Sequence, residues 1–311
     1  MKNRILGRRG SAAALAVVVV CGTADCAAAD ASAGSSASAQ FVTYNLPTPP
    51  SYELTNNVSP ALLARADGRA VESPAPTTFG QTFHFNGWSD VGALFTAPVY
   101  SHGKLTGAAH ECSASVVDSP AGDLVLTAAH CVYGSAFQKF LAFAPKFDNG
   151  VSGYGVWYVR SISVDAGWVS SHNPLDDYAL LTIDPVEGRS IQRVAGGLAL
   201  SATHLPRDVT VLGYNQVVYD PDGNAPIICH SQAVKEVETV DGVSELYSGF
   251  AGPNFQDGTS GGPWIETGTD HVVGVVGGYE EGGDIPAFSY SSVFGPDVFA
   301  LYRDAVDQSR T

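Results

Sequence analysis

A serine in a glycine-rich run is the first feature of this sequence that suggests chemistry. Residues Gly258–Trp264 read Gly-Thr-Ser-Gly-Gly-Pro-Trp. Glycines let a backbone turn sharply and approach a ligand closely, because they have no Cβ atom. Ser260 in such a loop can act as a nucleophile while backbone amides, its own among them, face the reacting carbonyl. A Gly-rich surface turn is the alternative, so the motif needs partners elsewhere in the chain.

A histidine that could activate such a serine occurs earlier in the chain. His130 ends the run Leu126-Thr-Ala-Ala-His and is followed by Cys131. Histidine takes and returns protons near neutral pH, which makes His130 a candidate general base. The alternative is a buried neutral histidine at the end of a strand.

A pair of aspartates offers the third component. Asp176 and Asp177 precede the apolar stretch Tyr178-Ala-Leu-Leu. An acidic pair at such a place is commonly a solvated turn. A carboxylate at the mouth of a buried strand can instead accept the Nδ1 proton of a histidine and fix its tautomer. Asp177 adjoins the strand and is the candidate, whereas Asp176 is expected to face solvent.

The charge of the chain excludes several classes of function. The 311 residues have a formal net charge of −15, although residues 1–29 carry four cations and one acid, so the rest is more acidic still. A protein this acidic repels phosphate backbones and anionic lipid headgroups. We therefore expect no nucleic-acid binding and no membrane-surface function.

Residues 1–29 have the pattern of a secretory signal peptide. A basic stretch precedes a short apolar run from Ala12 to Cys21, which is followed by small residues. The run is too short to cross a bilayer, and residues 27–29 or 31–33 offer an A-x-A cleavage site. Neither Cys21 nor Cys26 follows the small residue that a lipoprotein signal requires. We expect a secreted, extracellular protein without a membrane anchor, exported by the general or the twin-arginine route.

Residues 30–87 are rich in Ala, Ser, Thr and Pro and have little hydrophobic periodicity. This composition predicts a pro-segment or a flexible N-terminal extension that packs loosely at most. The packed protein is expected to begin at Trp88.

From Trp88 onward the sequence predicts an all-β fold. Short apolar runs with Gly, Pro, Asn or Asp between them recur along the chain, as in a barrel or sandwich. They include Val91–Phe95, Ser113–Val117, Leu124–Thr127, Phe140–Phe143, Val156–Val159, Ile162–Val164, Tyr178–Ile183, Val209–Leu212, Ala233–Val237, Ser244–Tyr247, Val272–Val276 and Phe288–Ser291. The exception is residues 296–308, where apolar residues recur at helical spacing after Pro296 and predict a C-terminal helix.

The three motifs, in the order His, Asp, Ser, resemble those of the chymotrypsin-like serine peptidases, and most of all the secreted bacterial trypsin-like and V8-like branch. The resemblance runs from Trp88 to the C-terminal helix. It implies two six-stranded antiparallel β-barrels with the active site between them. The first barrel would span residues 88–195, the second residues 205–294, and the helix residues 296–308.

The resemblance also implies roles for individual residues. Ser260 would attack the scissile carbonyl, His130 would take its proton, and Asp177 would steady the imidazolium. The amides of Gly258 and Ser260 would form the oxyanion hole. The edge strand on which such enzymes bind the substrate backbone would be Val276, Gly277, Gly278 and Tyr279.

The sequence departs from the family pattern in the specificity and activation regions. Asn254 lies at the substrate-binding position where the branch that cleaves after Arg and Lys has an aspartate, and Val276 replaces the histidine of glutamate-specific relatives. Thr259 replaces the aspartate that pairs with a newly cleaved N-terminus. We therefore expect the Gly258–Ser260 loop to be held by its own hydrogen bonds and packing. The other histidines match no family position and are expected at the surface or in turns (His84, His102, His110, His172, His204, His230 and His271).

The cysteines outside the signal peptide number three. The resemblance implies a disulfide between Cys112 and Cys131 across the histidine loop, and it leaves Cys229 as a free thiol. Metal-ligand spacing and phosphate-binding loops are missing from the sequence. We expect a monomer that acts on protein or peptide substrates with no cofactor and no metal.

The leading hypothesis is a secreted serine endopeptidase. A catalytically silent relative that uses the cleft as a binding module is the alternative, and loss of a triad member would indicate it. An esterase of the α/β-hydrolase type would require the order Ser, Asp, His and a G-x-S-x-G elbow. The observed order of the motifs and the β-rich pattern, which gives no helix directly after Ser260, both oppose it.

Overall fold

The computed structural model describes residues 40–48, 61, 78–96, 99–101, 104–106, 110–222 and 224–310. The predicted signal peptide, with Cys21 and Cys26, lies outside the described residues. So does His102. Most of the segment between residues 49 and 77 is also outside them.

The described chain is mostly β-structure with three short or medium helices. The strands are β1 (Phe41–Asn45), β2 (Thr82–His84), β3 (Val91–Thr96), β4 (Val99–Ser101), β5 (Lys104–Thr106), β6 (His110–Val117), β7 (Leu124–Thr127), β8 (Leu141–Pro145), β9 (Phe147–Asp148), β10 (Val151–Ser152), β11 (Trp157–Asp165), β12 (Ala179–Ile183), β13 (Ala199–Leu200), β14 (Arg207–Gly213), β15 (Ile227–Val240), β16 (Val243–Ala251), β17 (Pro263–Glu266), β18 (His271–Val275) and β19 (Phe288–Ser292). The helices are α1 (Ala166–Ser171), α2 (Ile191–Ala195) and α3 (Pro296–Ser309), with 3₁₀ turns at Pro174–Asp176 and Tyr279–Gly282.

The first half of the fold is a closed barrel. Its six antiparallel strands follow the order β11-β12-β7-β6-β3-β8, and β8 pairs back to β11 through Phe143 with Trp157 and Ala142 with Tyr158. Closure uses only residues 157 and 158 of β11, and residues 161–165 of the same strand pair with β1. The two predicted runs Val156–Val159 and Ile162–Val164 belong to the single strand β11. The pairing of β11 with β12 shifts register between Val159 and Ser161 and then continues.

The second half is built on a six-stranded antiparallel sheet in the order β18-β17-β14-β15-β16-β19. The two ends of this sheet meet. The Gly277 amide donates to the Tyr290 carbonyl at 3.0 Å, and the Val275 amide donates to Ser291 Oγ at 3.0 Å. The predicted all-β, chymotrypsin-like fold with a C-terminal helix is therefore confirmed, with hydrogen-bonded closure by strand pairing in the first barrel.

The C-terminal helix α3 returns the chain to the first barrel. Its buried residues Val298, Leu301, Ala305 and Val306 follow the predicted spacing, and the helix packs against β11 and β12. The Tyr302 hydroxyl donates to the Asp118 carbonyl at 2.8 Å. None of the helices among the described residues has the length and apolar character needed to cross a bilayer.

Two stretches of the predicted N-terminal extension belong to the packed protein. Strand β1 pairs with β11 along five residues, and the Tyr44 ring stacks on Phe137 at a centroid distance of 4.8 Å. Strand β2 pairs with β15 in the second half. The expectation that the packed protein begins at Trp88 is wrong for these stretches. Each stretch is one short strand added to an existing edge. Because the surrounding sequence is rich in Pro and Ala, the short strand gives no distinct signal in the sequence. Removal of a pro-segment stays a prediction.

The disulfide implied by the resemblance is present between Cys112 and Cys131, which lie 19 residues apart. Cys229, the third cysteine, is free and fully buried on β15. Burial raises the pKa of the Cys229 thiol, against a smaller opposite effect of Thr82. The thiol is thus both inaccessible and protonated at neutral pH.

We expect a Cys112→Ser, Cys131→Ser double variant to lose about 3 kcal/mol of unfolding free energy, because the bridge closes a loop of this length in the unfolded state. Urea titration measures the loss. Peptide mapping without reduction should recover the bridged pair, and Cys229 should react with iodoacetamide only after denaturation. Rapid labelling of Cys229 in the native protein would contradict its burial.

Candidate active site

His130 lies just beyond the end of β7, where the buried residues Ala128 and Ala129 hold the chain against the barrel. Its side chain is only 12% exposed. The ring Nδ1 lies 2.8 Å from Asp177 Oδ2, and the His130 backbone amide donates to Asp177 Oδ1 at 2.9 Å. Asp177 therefore orients both the ring and the backbone of the histidine.

The Asp177 carboxylate has no exposed surface. Besides the two contacts with His130, its Oδ2 accepts the Gly278 amide at 2.8 Å. The adjacent Gly277 approaches so closely that an added Cβ would lie 2.9 Å from Asp177 Oδ2. With Nδ1 donating to an ionised carboxylate, the Nε2 atom of His130 is left to accept a proton from a nucleophile.

Asp177 directly follows the 3₁₀ turn Pro174–Asp176 and is buried, and β12 begins two residues later at Ala179. Asp176 is part-buried rather than solvent-facing as predicted, and its Oδ2 accepts from Asn173 Nδ2 at 2.7 Å. The reason is that this carboxylate lies against Gly167, which leaves it room because glycine has no side chain. Burial and the nearby Asp165 carboxylate raise the pKa of Asp176 from the ordinary 3.8 to about 6.

Ser260 lies in the connection between β16 and β17, which comes from the second half of the fold. Its carbonyl accepts the Ser113 amide at 2.7 Å, which ties the loop to β6 of the first barrel. Gly261 has a φ of 78°, and a side chain there would overlap the Ser113 carbonyl and Thr127 Oγ1. This close approach brings the serine loop to the end of β7, beside the histidine loop.

Ser260 and His130 are not hydrogen-bonded to each other. Their loops are adjacent, and such catalytic contacts are commonly long in enzymes without substrate and tighten in the substrate complex.

The loop around Ser260 is held by internal hydrogen bonds. Thr259 is 2% exposed, and both its amide and its Oγ1 donate to the Gln256 carbonyl, at 3.1 and 2.8 Å. The Gly262 amide donates to the Thr259 carbonyl at 2.8 Å. Neither the Gly258 amide nor the Ser260 amide donates to an acceptor in the described parts of the chain. Two amides in this loop are thus available to an external oxygen.

The charges around the cleft act on His130. Burial of the ring opposes its charged form. The charge and hydrogen bond of Asp177 act in the opposite direction together with the charges of Glu281 and Asp257, and the net effect raises the pKa of His130 above the ordinary 6.5. The site therefore strengthens His130 as a base.

The predicted substrate-binding residues lie beside this constellation. Gly277 and Gly278 are buried and follow β18, and Tyr279 begins a 3₁₀ turn with its ring 5.8 Å from Tyr247. The Val276 carbonyl accepts the Gly261 amide at 2.7 Å. Asn254 is exposed, with a φ of 66°.

Comparison with known proteins shows the family of the chain. A family model described as Trypsin matches residues 92–293. The chain belongs to the trypsin family. A comparison with curated proteins found no match.

Solved structures of several proteases share the fold of this trypsin-family chain. The protease Anisep from Arthrobacter nicotinovorans aligns with a TM-score of 0.61 and 21% identity, covering 73% of this chain and 99% of that one. The thermostable serine protease AL20 from an extremophilic microorganism gives a TM-score of 0.57 and 24% identity, with coverages of 70% and 97%. A Glu endopeptidase gives 0.54 and 15%, with coverages of 78% and 97%. Identities this low establish the fold and carry no argument about substrate.

Three contributors to the site of this trypsin-family protein were missed in the sequence. They are Ser113, whose Oγ donates to the Gly258 carbonyl at 2.8 Å, the Gly278 amide on Asp177, and the buried Asn215. A serine on a strand or an asparagine after one has no sequence signal for such a role. Conversely, His110 was expected at the surface and is buried among aromatic rings, including Phe95 and Phe147. It occupies an inward position of β6, a strand whose pattern began too late in the sequence prediction.

We expect the acid limb of the kcat/KM pH profile to lie above pH 6.5, because His130 must be neutral to act and its pKa is raised. Glu281→Gln removes one cause of the increase, so the limb should move to lower pH. Glu187→Gln, an exposed acid elsewhere, is the control. An unchanged limb in Glu281→Gln would show that this charge does not reach His130.

Asp177→Asn should lower kcat by about 10⁴, since an amide in place of the carboxylate favours the wrong histidine tautomer. Asp176→Asn should leave kcat within about twofold, because the Asp176 side chain does not contact His130. Steady-state kinetics on a cleaved peptide measures both. Reversed effects would contradict the assignment of Asp177.

Asp176→Asn should, however, stabilise the fold at high pH. Because the pKa of Asp176 rises from 3.8 to about 6 on folding, its ionisation opposes folding. Wild type and variant should differ little near pH 4, and the variant should become more stable as the pH rises through about 6. Thermal unfolding at several pH values measures this, with Asp241→Asn at an exposed turn as the control.

Proposed function

We propose that this protein is a secreted serine endopeptidase that hydrolyses peptide bonds through an acyl-enzyme intermediate. The observation that carries the proposal is the buried Asp177–His130 pair beside a serine loop with two unused amides. Membership of the trypsin family supports the proposal, because a histidine paired with a buried aspartate beside a serine loop is the arrangement that serine proteases use.

The proposed mechanism gives each of these groups a role. Ser260 Oγ would attack the carbonyl carbon while His130 Nε2 takes the hydroxyl proton. The resulting oxyanion would be bound by the Gly258 and Ser260 amides, and the proton on His130 would pass to the leaving amine as the C–N bond breaks. Water would then attack the acyl-serine by the same route and regenerate Ser260. Asp177 would stabilise the imidazolium through its contact with His130 Nδ1.

Protein or peptide substrates fit the surroundings of the site. Residues Val276–Tyr279 follow β18 and are proposed to pair with an extended substrate backbone, which is a common way for proteins to bind peptides. Asp257 and Glu281 give this region a negative potential at the histidine. No cofactor or metal takes part in the proposed reaction.

Secretion is the second part of the proposal. It is supported by the basic and apolar pattern of residues 1–29 and by the disulfide between Cys112 and Cys131, since disulfides persist in oxidising compartments. The alternative of a catalytically silent binding protein predicts no turnover from a folded chain.

Ser260→Ala is expected to lower kcat by about 10⁶, as removal of the nucleophile did in a well-studied serine protease. The measurement is a peptide-library digest analysed by mass spectrometry, with a fluorophosphonate to titrate the active serine. The conservative control is Ser248→Ala, a buried serine on β16. Near-normal turnover by folded Ser260→Ala would contradict the proposed nucleophile, and inactive wild type that is not labelled would favour the binding protein.

A further inference from the structure

Asn215, directly after β14 and Tyr214, is a fully buried amide whose hydrogen-bonding groups are all used. Its Nδ2 donates to the Asn254 carbonyl at 2.9 Å and to Asp220 Oδ2 at 3.1 Å. Its Oδ1 accepts the Gln256 amide at 3.0 Å. An asparagine side chain has two N–H donors and one carbonyl, so these contacts hold it in a single orientation.

Two of these contacts hold the backbone that leads into the Ser260 loop. Asn254 and Gln256 lie shortly before Gly258. The Gln216 amide also donates, at 2.8 Å, to the carbonyl of Asp257, which directly precedes Gly258. Gly258 then approaches residues 214–216 so closely that a Cβ would lie 2.5 Å from the Tyr214 carbonyl oxygen and 2.8 Å from the Gln216 nitrogen. The position of the Gly258 amide therefore depends on Asn215 and its neighbours.

Asp220 connects Asn215 to the N-terminal strand β2. His84 is the last residue of β2, and its Nε2 lies 3.2 Å from Asp220 Oδ2. The other oxygen of Asp220 accepts the Asp222 amide at 3.0 Å. Strand β2 is fixed in turn by its pairing with β15, with His84 opposite Ile227. Contacts thus run without interruption from β2 through Asp220 and Asn215 to the serine loop.

We propose that Asn215 is the positioning residue for the oxyanion-hole loop, and that β2 supports it through His84 and Asp220. This inference depends on the proposed function and extends it, because residues before Trp88 then take part in the active conformation. In the trypsin branch, a cleaved N-terminus forms an ion pair with an aspartate at the position that Thr259 occupies in this chain. Asn215, a neutral amide with all of its hydrogen-bonding groups used, would hold the loop in place of that ion pair without burying a charge of its own.

Asn215→Asp tests the proposal with almost no change of shape. The variant loses both N–H donors and places a second carboxylate against Asp220. We expect kcat to fall about 100-fold, the effect of a misplaced or missing oxyanion donor, with KM within about threefold. Affinity for a peptide boronate, whose tetrahedral adduct fills the oxyanion hole, should fall by a similar factor, whereas affinity for the cleaved product peptide should not change. A purely structural role would instead alter both affinities and the melting temperature together.

The full-length chain offers matched controls. Asn45→Asp, at the exposed end of β1, makes the same charge change and should match wild type. His84 is 37% exposed, so its replacement is tolerated even if Asn215→Asp does not fold. His84→Ala should lower kcat about fivefold, and His84→Gln, which keeps an N–H donor, should restore most of it, in keeping with the modest value of an exposed contact.

Two results would overturn the inference. One is folded Asn215→Asp with kcat and boronate affinity within twofold of wild type, and the other is equal activity in His84→Ala and His84→Gln. Failure of the proposed function is distinguishable, because wild type itself would then neither cleave peptides nor react with a fluorophosphonate.

Discussion

The need to satisfy one buried carboxylate organises the centre of this protein. Asp177 has no exposed surface, and an ionised carboxylate without partners in such a place would cost several kcal/mol. Its partners are the ring and amide of His130, from the first barrel, and the amide of Gly278, from the second half. The contacts that stabilise the charge therefore also hold the two halves in register at the cleft, where Ser260 must meet His130.

The surroundings of His130 differ in charge from the contacts that hold the Ser260 loop. Around His130, Asp177, Glu281 and Asp257 favour the imidazolium that forms when the histidine takes a proton. Around the Ser260 loop, Thr259 contributes a neutral hydroxyl that is satisfied by the Gln256 carbonyl. Asp257 and Glu281 thus favour a protonated His130, whereas the Thr259 side chain that holds the serine loop carries no charge that would repel an oxyanion.

Residues 41–45 and 82–84 lie in a segment whose composition is typical of a linker, yet they form strands that pair with the rest of the fold. Strand β1 covers the outer edge of β11, and β2 adds to β15 in the other half. Exposed strand edges can pair with other chains, and β1 and β2 cover part of the edges of β11 and β15. Cleavage between residues 49 and 77 would leave β1 attached by five residue pairs and by the stacking of Tyr44 on Phe137.

The sequence alone determined the features whose signals are local. The all-β pattern, the C-terminal helix and the family resemblance follow from runs of a few residues. The types and the order of His130, Asp177 and Ser260 indicate their proposed chemistry. Only the tertiary structure decided the contacts between distant segments. Gly278 on Asp177 and Ser113 on Gly258 span 101 and 145 residues, β1 and β2 are short strands that exist only as additions to other strands, and the inward turn of Asp176 depends on Gly167. Such contacts arise when packing brings distant segments together, and no local sequence pattern shows which residues will meet.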